Sequence, residues 1–406
     1  MTPCRFRANL NKGSDSVTYG TKWPLIISPR HRINGDTPAV KRPTLVIALT
    51  FYLLASQATR GGDGRDVASE LGLQESAVPI RDMKGWRQPR KIVVLIDSEA
   101  RLQWFREAIA GVDVELVGAH DPAEFLASIN NADAVEGICN AAIVEADTEL
   151  RWIQTQGAGV EDCVKIARVA RGDIVLTNMQ RVDSSNVAEH TFALILALSR
   201  HLPALSSLQQ KKSWKSGLPW HMLDLQGGTM LVVGLGGNGT AIAERARAFG
   251  MRIIAIRAGS HSKPAFVDYV GAPAELGNLL GSADVVVNTL PLTAQTERLF
   301  DATMFGKMKH TALFINVGRG KTVVTADLVK ALGSGSIAGA GLDVVNPEPL
   351  PPEDPLWQAP NVIITPHVAD RSSLRMERAW LIMRENLRRY VRGDKLLSVV
   401  DPQRGY

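Results

Sequence analysis

Cysteine is scarce in this chain and poorly spaced for structural work. Cys4, Cys139 and Cys163 form an odd set with no Cys-x-x-Cys or Cys/His spacing. The sequence therefore reads as having neither a disulfide framework nor a zinc site, and no metal and no thiol nucleophile is assigned. Internal repeats and low-complexity tracts are also absent, which excludes a solenoid or fibrous chain. A long hydrophobic run is missing too: the longest apolar stretch, from Thr44 to Ala58, is too short for a comfortable transmembrane helix. Finally, the net charge of +5 is not spread along the chain. Residues 1–42 carry eight Lys or Arg against Asp15 and Asp36, leaving the rest near −1. The main body thus gives no electrostatic case for nucleic acid or an acidic membrane.

What remains is 45% hydrophobic and 21% charged over 406 residues, ordinary for globular domains and long enough for two cores. Residues 1–59 read as a leader. From about Val40 it has a charged start at Lys41-Arg42, an apolar stretch and a small-x-small end at Ser56-Gln57-Ala58, the pattern of a secretory signal whose translation would begin near Val40. Export to the periplasm follows if residues 40–58 act as that signal. If they are a disordered extension with an apolar patch, the protein is cytoplasmic.

Residues 60–90 read as a polar connector. Strand-like runs then alternate with helical stretches: Lys91–Ile96, Val112–Val117, Ala134–Ile138, Leu150–Gln154 and Val175–Thr177. A long helix is predicted over Val187–Leu202, ended by Pro203. Six further strand-like runs follow, within Thr229–Val233, Arg252–Ile256, Ala283–Thr289, Ala312–Asn316, Gly339–Asp343 and Asn361–Thr365. An amphipathic helix is predicted over Arg371–Val391. The pattern predicts an α/β protein of two Rossmann-like domains around a cleft. One is a flavodoxin-like substrate domain, discontinuous, from 91–190 and 371–406; the other is a doubly wound NAD(P)-binding domain over 191–370.

The chemistry begins at the turn Gly234-Leu235-Gly236-Gly237-Asn238-Gly239, which follows a Val-rich strand and opens an Ala-rich helix. Gly234 permits the tight turn, Gly236 lets the backbone approach a diphosphate, and Gly239 lets helix and sheet pack closely. The unpaired amides of the helix start then face the phosphates. At the end of the next strand an NAD enzyme usually carries an acid for the ribose 2′-hydroxyl. This chain has Arg257 there, with Ser260 and Ser262 close by, which suits a 2′-phosphate and predicts NADP in preference to NAD. Downstream, Arg319, Glu348 and His367 each follow a strand. An arginine can hold a carboxylate bidentately, and an imidazole can protonate a carbonyl oxygen as hydride arrives, oriented by a neighbouring carboxylate.

With these residues in order, the chain resembles the D-isomer-specific 2-hydroxyacid dehydrogenases, close to glyoxylate/hydroxypyruvate reductases. The matching segments are Val232–Gly239, Leu290-Pro-Leu-Thr-Ala-Gln-Thr296, Asn316-Val-Gly-Arg-Gly320, Gly341–Leu350 and Asn361–Ala369. The resemblance implies Arg319 as the ligand of the substrate carboxylate and His367 with Glu348 as the acid/base pair. It implies that Gly237, Asn238, Leu290, Pro291, Asn316, Val317 and Gly318 line the cofactor, with Asp343 near the nicotinamide carboxamide. The loop Gln156-Gly-Ala-Gly-Val-Glu161 resembles the one whose amides, here of Ala158 and Gly159, hold the substrate carboxylate. His190 matches the start of the family's hinge helix and is read as structural.

Two positions depart from the pattern: Asn238 replaces an apolar residue, and Arg181 stands where glycine is common. The implied activity is reduction of a small 2-keto acid to the D-2-hydroxy acid, or the reverse, by a homodimer. Glu348 argues against a formate dehydrogenase, which carries glutamine there, and the short C-terminal tail against the long phosphoglycerate dehydrogenases. The rival from another class is a nucleotide-sensing corepressor-like protein with the same fold and little turnover.

Overall fold

The computed structural model describes residues 67–220, 222–259 and 263–406. The apolar segment 40–58, the rest of the leader, and Ser260, His261 and Ser262 lie outside the described residues.

A short helix α1 (Val67–Leu71) precedes the first sheet, which is built from β1 (Lys91–Leu95), α2 (Glu99–Ala108), β2 (Glu115–Ala119), α3 (Pro122–Ser128), β3 (Ala134–Gly137), α4 (Ala141–Ala146), β4 (Trp152–Thr155), α5 (Ala167–Ala170) and β5 (Val175–Thr177). All pairings are parallel, in the order β2-β1-β3-β4-β5, the flavodoxin-like arrangement. A parallel sheet covered on both faces needs continuous apolar strands, which is why β1 reads Lys-Ile-Val-Val-Leu. Ile92 and Val94 enter one core while Val93 enters the other. Local sequence sets the helix starts. Ser98 accepts a hydrogen bond from the amide of Arg101, and Asp121 caps α3 with Pro122 behind it.

The chain then runs through α6 (Ser184–Ser199) and α7 (Leu202–Gln210) into a second sheet. Its elements are β6 (Thr229–Val233), α8 (Gly237–Ala248), β7 (Arg252–Ile256), β8 (Tyr269–Gly271), α9 (Leu276–Leu279), β9 (Val285–Asn288), α10 (Ala302–Gly306), β10 (Leu313–Asn316), α11 (Thr325–Gly333), β11 (Gly339–Leu342) and β12 (Val362–Ile364). This sheet is also parallel, ordered β12-β11-β10-β9-β6-β7-β8, and its order reverses between β6 and β9. Ligands of such sheets bind beyond the carboxyl ends of the strands at that reversal. Finally, α12 (Arg375–Arg392) ends at Gly393, whose φ of +72° is the left-handed turn that stops a helix. Its apolar face, including Trp380, Met383 and Leu387, packs into the core of the first sheet. The tail follows it there, with the Val400 amide donating to Leu176 O at 2.8 Å.

Four features differ from the sequence reading. The described part of the supposed connector contributes side chains to the core: Leu73 and Ile80 are buried against α12 and the tail, and the Ile80 amide donates to Asp394 O at 2.9 Å. Its partners lie over 300 residues away in sequence, so local composition concealed the packing. The second sheet has a seventh strand, β8, three residues long and on the edge, too short to produce a periodic signal. The predicted helix Val187–Leu202 begins at Ser184 and ends at Ser199, and Pro203 lies in the first turn of α7 rather than simply ending a helix. Cys139 and Cys163 are joined in a disulfide with Cα atoms 5.7 Å apart, correcting the reading of unpaired thiols. Tertiary folding brings the exit of β3 to the segment beyond β4, and spacing cannot reveal such a meeting.

Candidate active site

The Gly-rich turn packs as its glycines require. Gly234 has φ +106°, and a Cβ on it would lie 2.9 Å from Thr289 Oγ1. A Cβ on Gly239 would lie 2.1 Å from Gly234 O, so any side chain would force α8 off the turn. At Gly236 a Cβ would meet nothing within 4 Å, and this residue stands just before α8, at its N-cap, with no side chain to cap the helix. Open space in front of uncapped helix amides fits an anionic group such as a dinucleotide diphosphate. Asn238 is tied to α6, its Oδ1 accepting from Ser184 Oγ at 2.8 Å. Arg257 follows β7, where its amide donates to Gly271 O at 3.1 Å, and the nearby Ser260 and Ser262 lie outside the described residues.

Across the sheet reversal, a buried polar network holds the loop after β10. Asn288 Nδ2 donates to Asn316 Oδ1 at 3.0 Å and to Thr322 Oγ1 at 2.7 Å. Thr322 Oγ1 in turn donates to Arg319 O at 2.6 Å. The Val317 amide donates to Asn288 O at 3.1 Å. Gly318 must be glycine, because a Cβ there would lie 2.8 Å from Leu290 O, placing the Leu290-Pro291 and Gly318 segments against each other. Asn288 and Thr322 were not singled out in the sequence. The available signal was an asparagine ending a Val-rich strand, where a buried amide needs several partners.

The network aims Arg319 at the first sheet. Its Nε donates to Glu161 Oε1 at 2.6 Å, and its Nη2 would lie 2.7 Å from a Cβ on Gly159. The predicted carboxylate-binding loop and the predicted arginine therefore meet. Among the described residues, the amides of Ala158 and Gly159 have no protein acceptor, while Asn178 Nδ2 fixes the loop by donating to Ala158 O at 2.9 Å. Glu161, in the same loop, had no role in the sequence reading and here engages the Arg319 guanidinium.

His367 follows β12 with φ +52°, a left-handed conformation uncommon outside glycine, asparagine and histidine. Its Nδ1 pairs with Glu348 Oε2 at 2.9 Å, leaving Nε2 for another partner. Glu348 is fixed in turn, its Oε1 accepting from the Val345 amide at 3.0 Å. Asp343 is nearly fully buried and holds the loop that carries His367. Its carboxylate accepts from the amides of Val368 and Ala369, both at 3.0 Å, and from Thr365 Oγ1 at 2.6 Å. His190 reaches the same cluster, its Nε2 pairing with Thr365 Oγ1 at 2.8 Å.

A nucleotide-compatible turn, an arginine meeting a second loop and a paired imidazole and carboxylate thus lie on loops after parallel strands. Residues 192–369 match the family described as D-isomer specific 2-hydroxyacid dehydrogenase, NAD binding domain. A glyoxylate reductase of Korarchaeum cryptofilum is 35% identical over 263 residues, covering 63% of this chain and 77% of that protein. The chain belongs to the D-isomer-specific 2-hydroxyacid dehydrogenase family.

Solved structures agree. A dehydrogenase of the same family from Aeromonas salmonicida superposes with a TM-score of 0.66 at 31% identity, covering 78% of this chain and all of that one. The NADPH-dependent glyoxylate/hydroxypyruvate reductase of Sinorhizobium meliloti, in complex with NADP and sulfate, gives 0.64 at 28% identity, covering 78% of this chain and all of that one. This dehydrogenase is accordingly an NAD(P)-dependent oxidoreductase of 2-keto and 2-hydroxy acids.

Proposed function

We propose that the protein reduces a small 2-keto acid, of the glyoxylate or hydroxypyruvate class, to the D-2-hydroxy acid, with NADPH preferred over NADH. The observation that carries this is the His367 Nδ1 to Glu348 Oε2 contact of 2.9 Å, on the same rim of the site as Arg319. When bound, the reduced nicotinamide supplies hydride to the carbonyl carbon. Arg319 holds the substrate carboxylate with the amides of Ala158 and Gly159, and Glu161 releases the guanidinium. Glu348 fixes the imidazole so that His367 Nε2 gives its proton to the carbonyl oxygen. The carbonyl gains hydride and proton and becomes an alcohol, primary from glyoxylate and secondary from hydroxypyruvate; the reverse reaction returns both. Arg257 supports the NADP preference because a guanidinium pairs with a 2′-phosphate where an acidic residue would repel it. A homodimer is proposed with this activity, supported by the family resemblance. Light scattering of the purified chain reads the assembly directly.

The deciding assay follows oxidation of NADPH and NADH by the full chain with glyoxylate, hydroxypyruvate, pyruvate and phenylpyruvate. His367→Ala should lower kcat by roughly 10²–10⁴. Arg257→Ala should shift preference toward NADH. Tight cofactor binding with no turnover on any of the acids would favour the sensor reading instead.

A further inference from the structure

Arg181 occupies the loop between β5 and α6 at φ +68°, a conformation in which glycine is at ease and an L side chain is disfavoured. Its side chain lies directly across the Gly-rich turn: Cγ would be 2.7 Å from a Cβ on Gly237, the first residue of α8. Ser184 Oγ would lie 2.9 Å from that same point, so Gly237 is pinned beneath this loop. The guanidinium continues toward α1, with Nη1 3.3 Å from a would-be Cβ on Gly72. It makes no hydrogen bond or ion pair with any described residue, although it is half-buried. Burial holds it below the ordinary arginine range, and the like charge of Arg257 adds to that effect. The half-buried Arg181 guanidinium thus stands beside an uncapped helix start without a partner among the described residues, an arrangement that an anion would relieve.

We propose that Arg181 binds the diphosphate bridge of the nicotinamide dinucleotide, reaching over the Gly-rich turn from the loop that leaves the first sheet. This deepens the reading of the turn as the dinucleotide site and rests on it. The diphosphate is the part in reach because the Arg181 stem crosses the N-terminus of α8, whereas the ribose 2′ position belongs to Arg257 at the end of β7. An arginine in place of glycine therefore trades backbone ease for a cofactor contact supplied from outside the nucleotide-binding sheet.

The test is calorimetric titration of the full chain with ADP-ribose, adenosine 2′-monophosphate, NADH and NADPH, for Arg181→Gly, Arg181→Lys and Arg257→Ala beside the unaltered protein. Arg181→Gly should weaken ADP-ribose, NADH and NADPH by about tenfold each, the scale of a lost charge-assisted hydrogen bond. It should leave adenosine 2′-monophosphate unchanged and the ligand-free melting temperature unchanged or raised. Arg181→Lys should fall between. Unchanged ADP-ribose affinity overturns the proposal. So does a loss confined to NADPH and adenosine 2′-monophosphate, or one accompanied by a lower ligand-free melting temperature. If Arg257→Ala leaves the NADPH to NADH ratio unaltered, the NADP reading falls while Arg181 is still judged on ADP-ribose. An unaltered chain that binds none of the four overturns both.

Discussion

Glu136 stands in β3 with its side chain fully buried and neither carboxyl oxygen hydrogen-bonded. Burial pushes it well above the ordinary carboxylate range, which favours the uncharged form. A polar group buried without partners costs roughly 1–3 kcal/mol, and an unbranched apolar residue of similar length removes that cost. Glu136→Met should therefore raise unfolding stability by about that amount in denaturant titration. A less stable variant would show that the carboxyl has a native partner role. Residue chemistry was legible in unequal measure. Arg319, Glu348 and His367 stood out by type and order, whereas Glu161 and Asn288 acquire their roles only from the neighbours that folding gives them.

Strand ends decide where the reactive groups go. The loop after β12 is held by Asp343 at the end of β11, which engages two backbone amides and the Thr365 hydroxyl. Asp343→Asn replaces one acceptor oxygen with a donor and should loosen that loop. The expected result is a ligand-free protein less stable by about 1–3 kcal/mol together with a lower kcat. A lower kcat with unchanged ligand-free stability would instead assign Asp343 to direct contact with the nicotinamide. Most elements were legible because buried parallel strands must be continuous apolar runs. Strand β8 escaped because Tyr-Val-Gly is too brief to carry a period. The division between α6 and α7 escaped because Leu202-Pro203 is compatible both with ending one helix and with starting the next.

Two crossings connect the sheets, and their charged groups meet. Asp183 at the start of α6 lies 3.1 Å from Arg375 Nε at the start of α12, and Asp370 lies 3.2 Å from the same nitrogen. Burial is the main cause that raises Asp183 to about 6, opposed by Arg375 and Arg378 and assisted by Asp370. The folded chain thus keeps a proton on Asp183 that the unfolded chain loses near 3.8. Its contribution to stability is fully present below that lower value and is lost as pH rises toward about 6. The amount is at most roughly 3 kcal/mol. Stability of the unaltered chain minus that of Asp183→Asn, from urea titrations at several pH values, should decline across this window. A difference flat with pH would exclude Asp183 as the group concerned.

The sequence by itself determined the alternation of strands and helices, the two-part plan, the Gly-rich strand-to-helix turn, and the order of Arg319, Glu348 and His367. These depend on side-chain type and on spacings of a few residues, which local chemistry fixes. Only the tertiary structure decided that Glu161 meets Arg319, that Cys139 joins Cys163, that Val67, Leu73 and Ile80 enter the core beneath α12, and that Arg181 lies over Gly237. Each joins segments distant along the chain, and such contacts are set by how the sheets and crossings pack rather than by any local period.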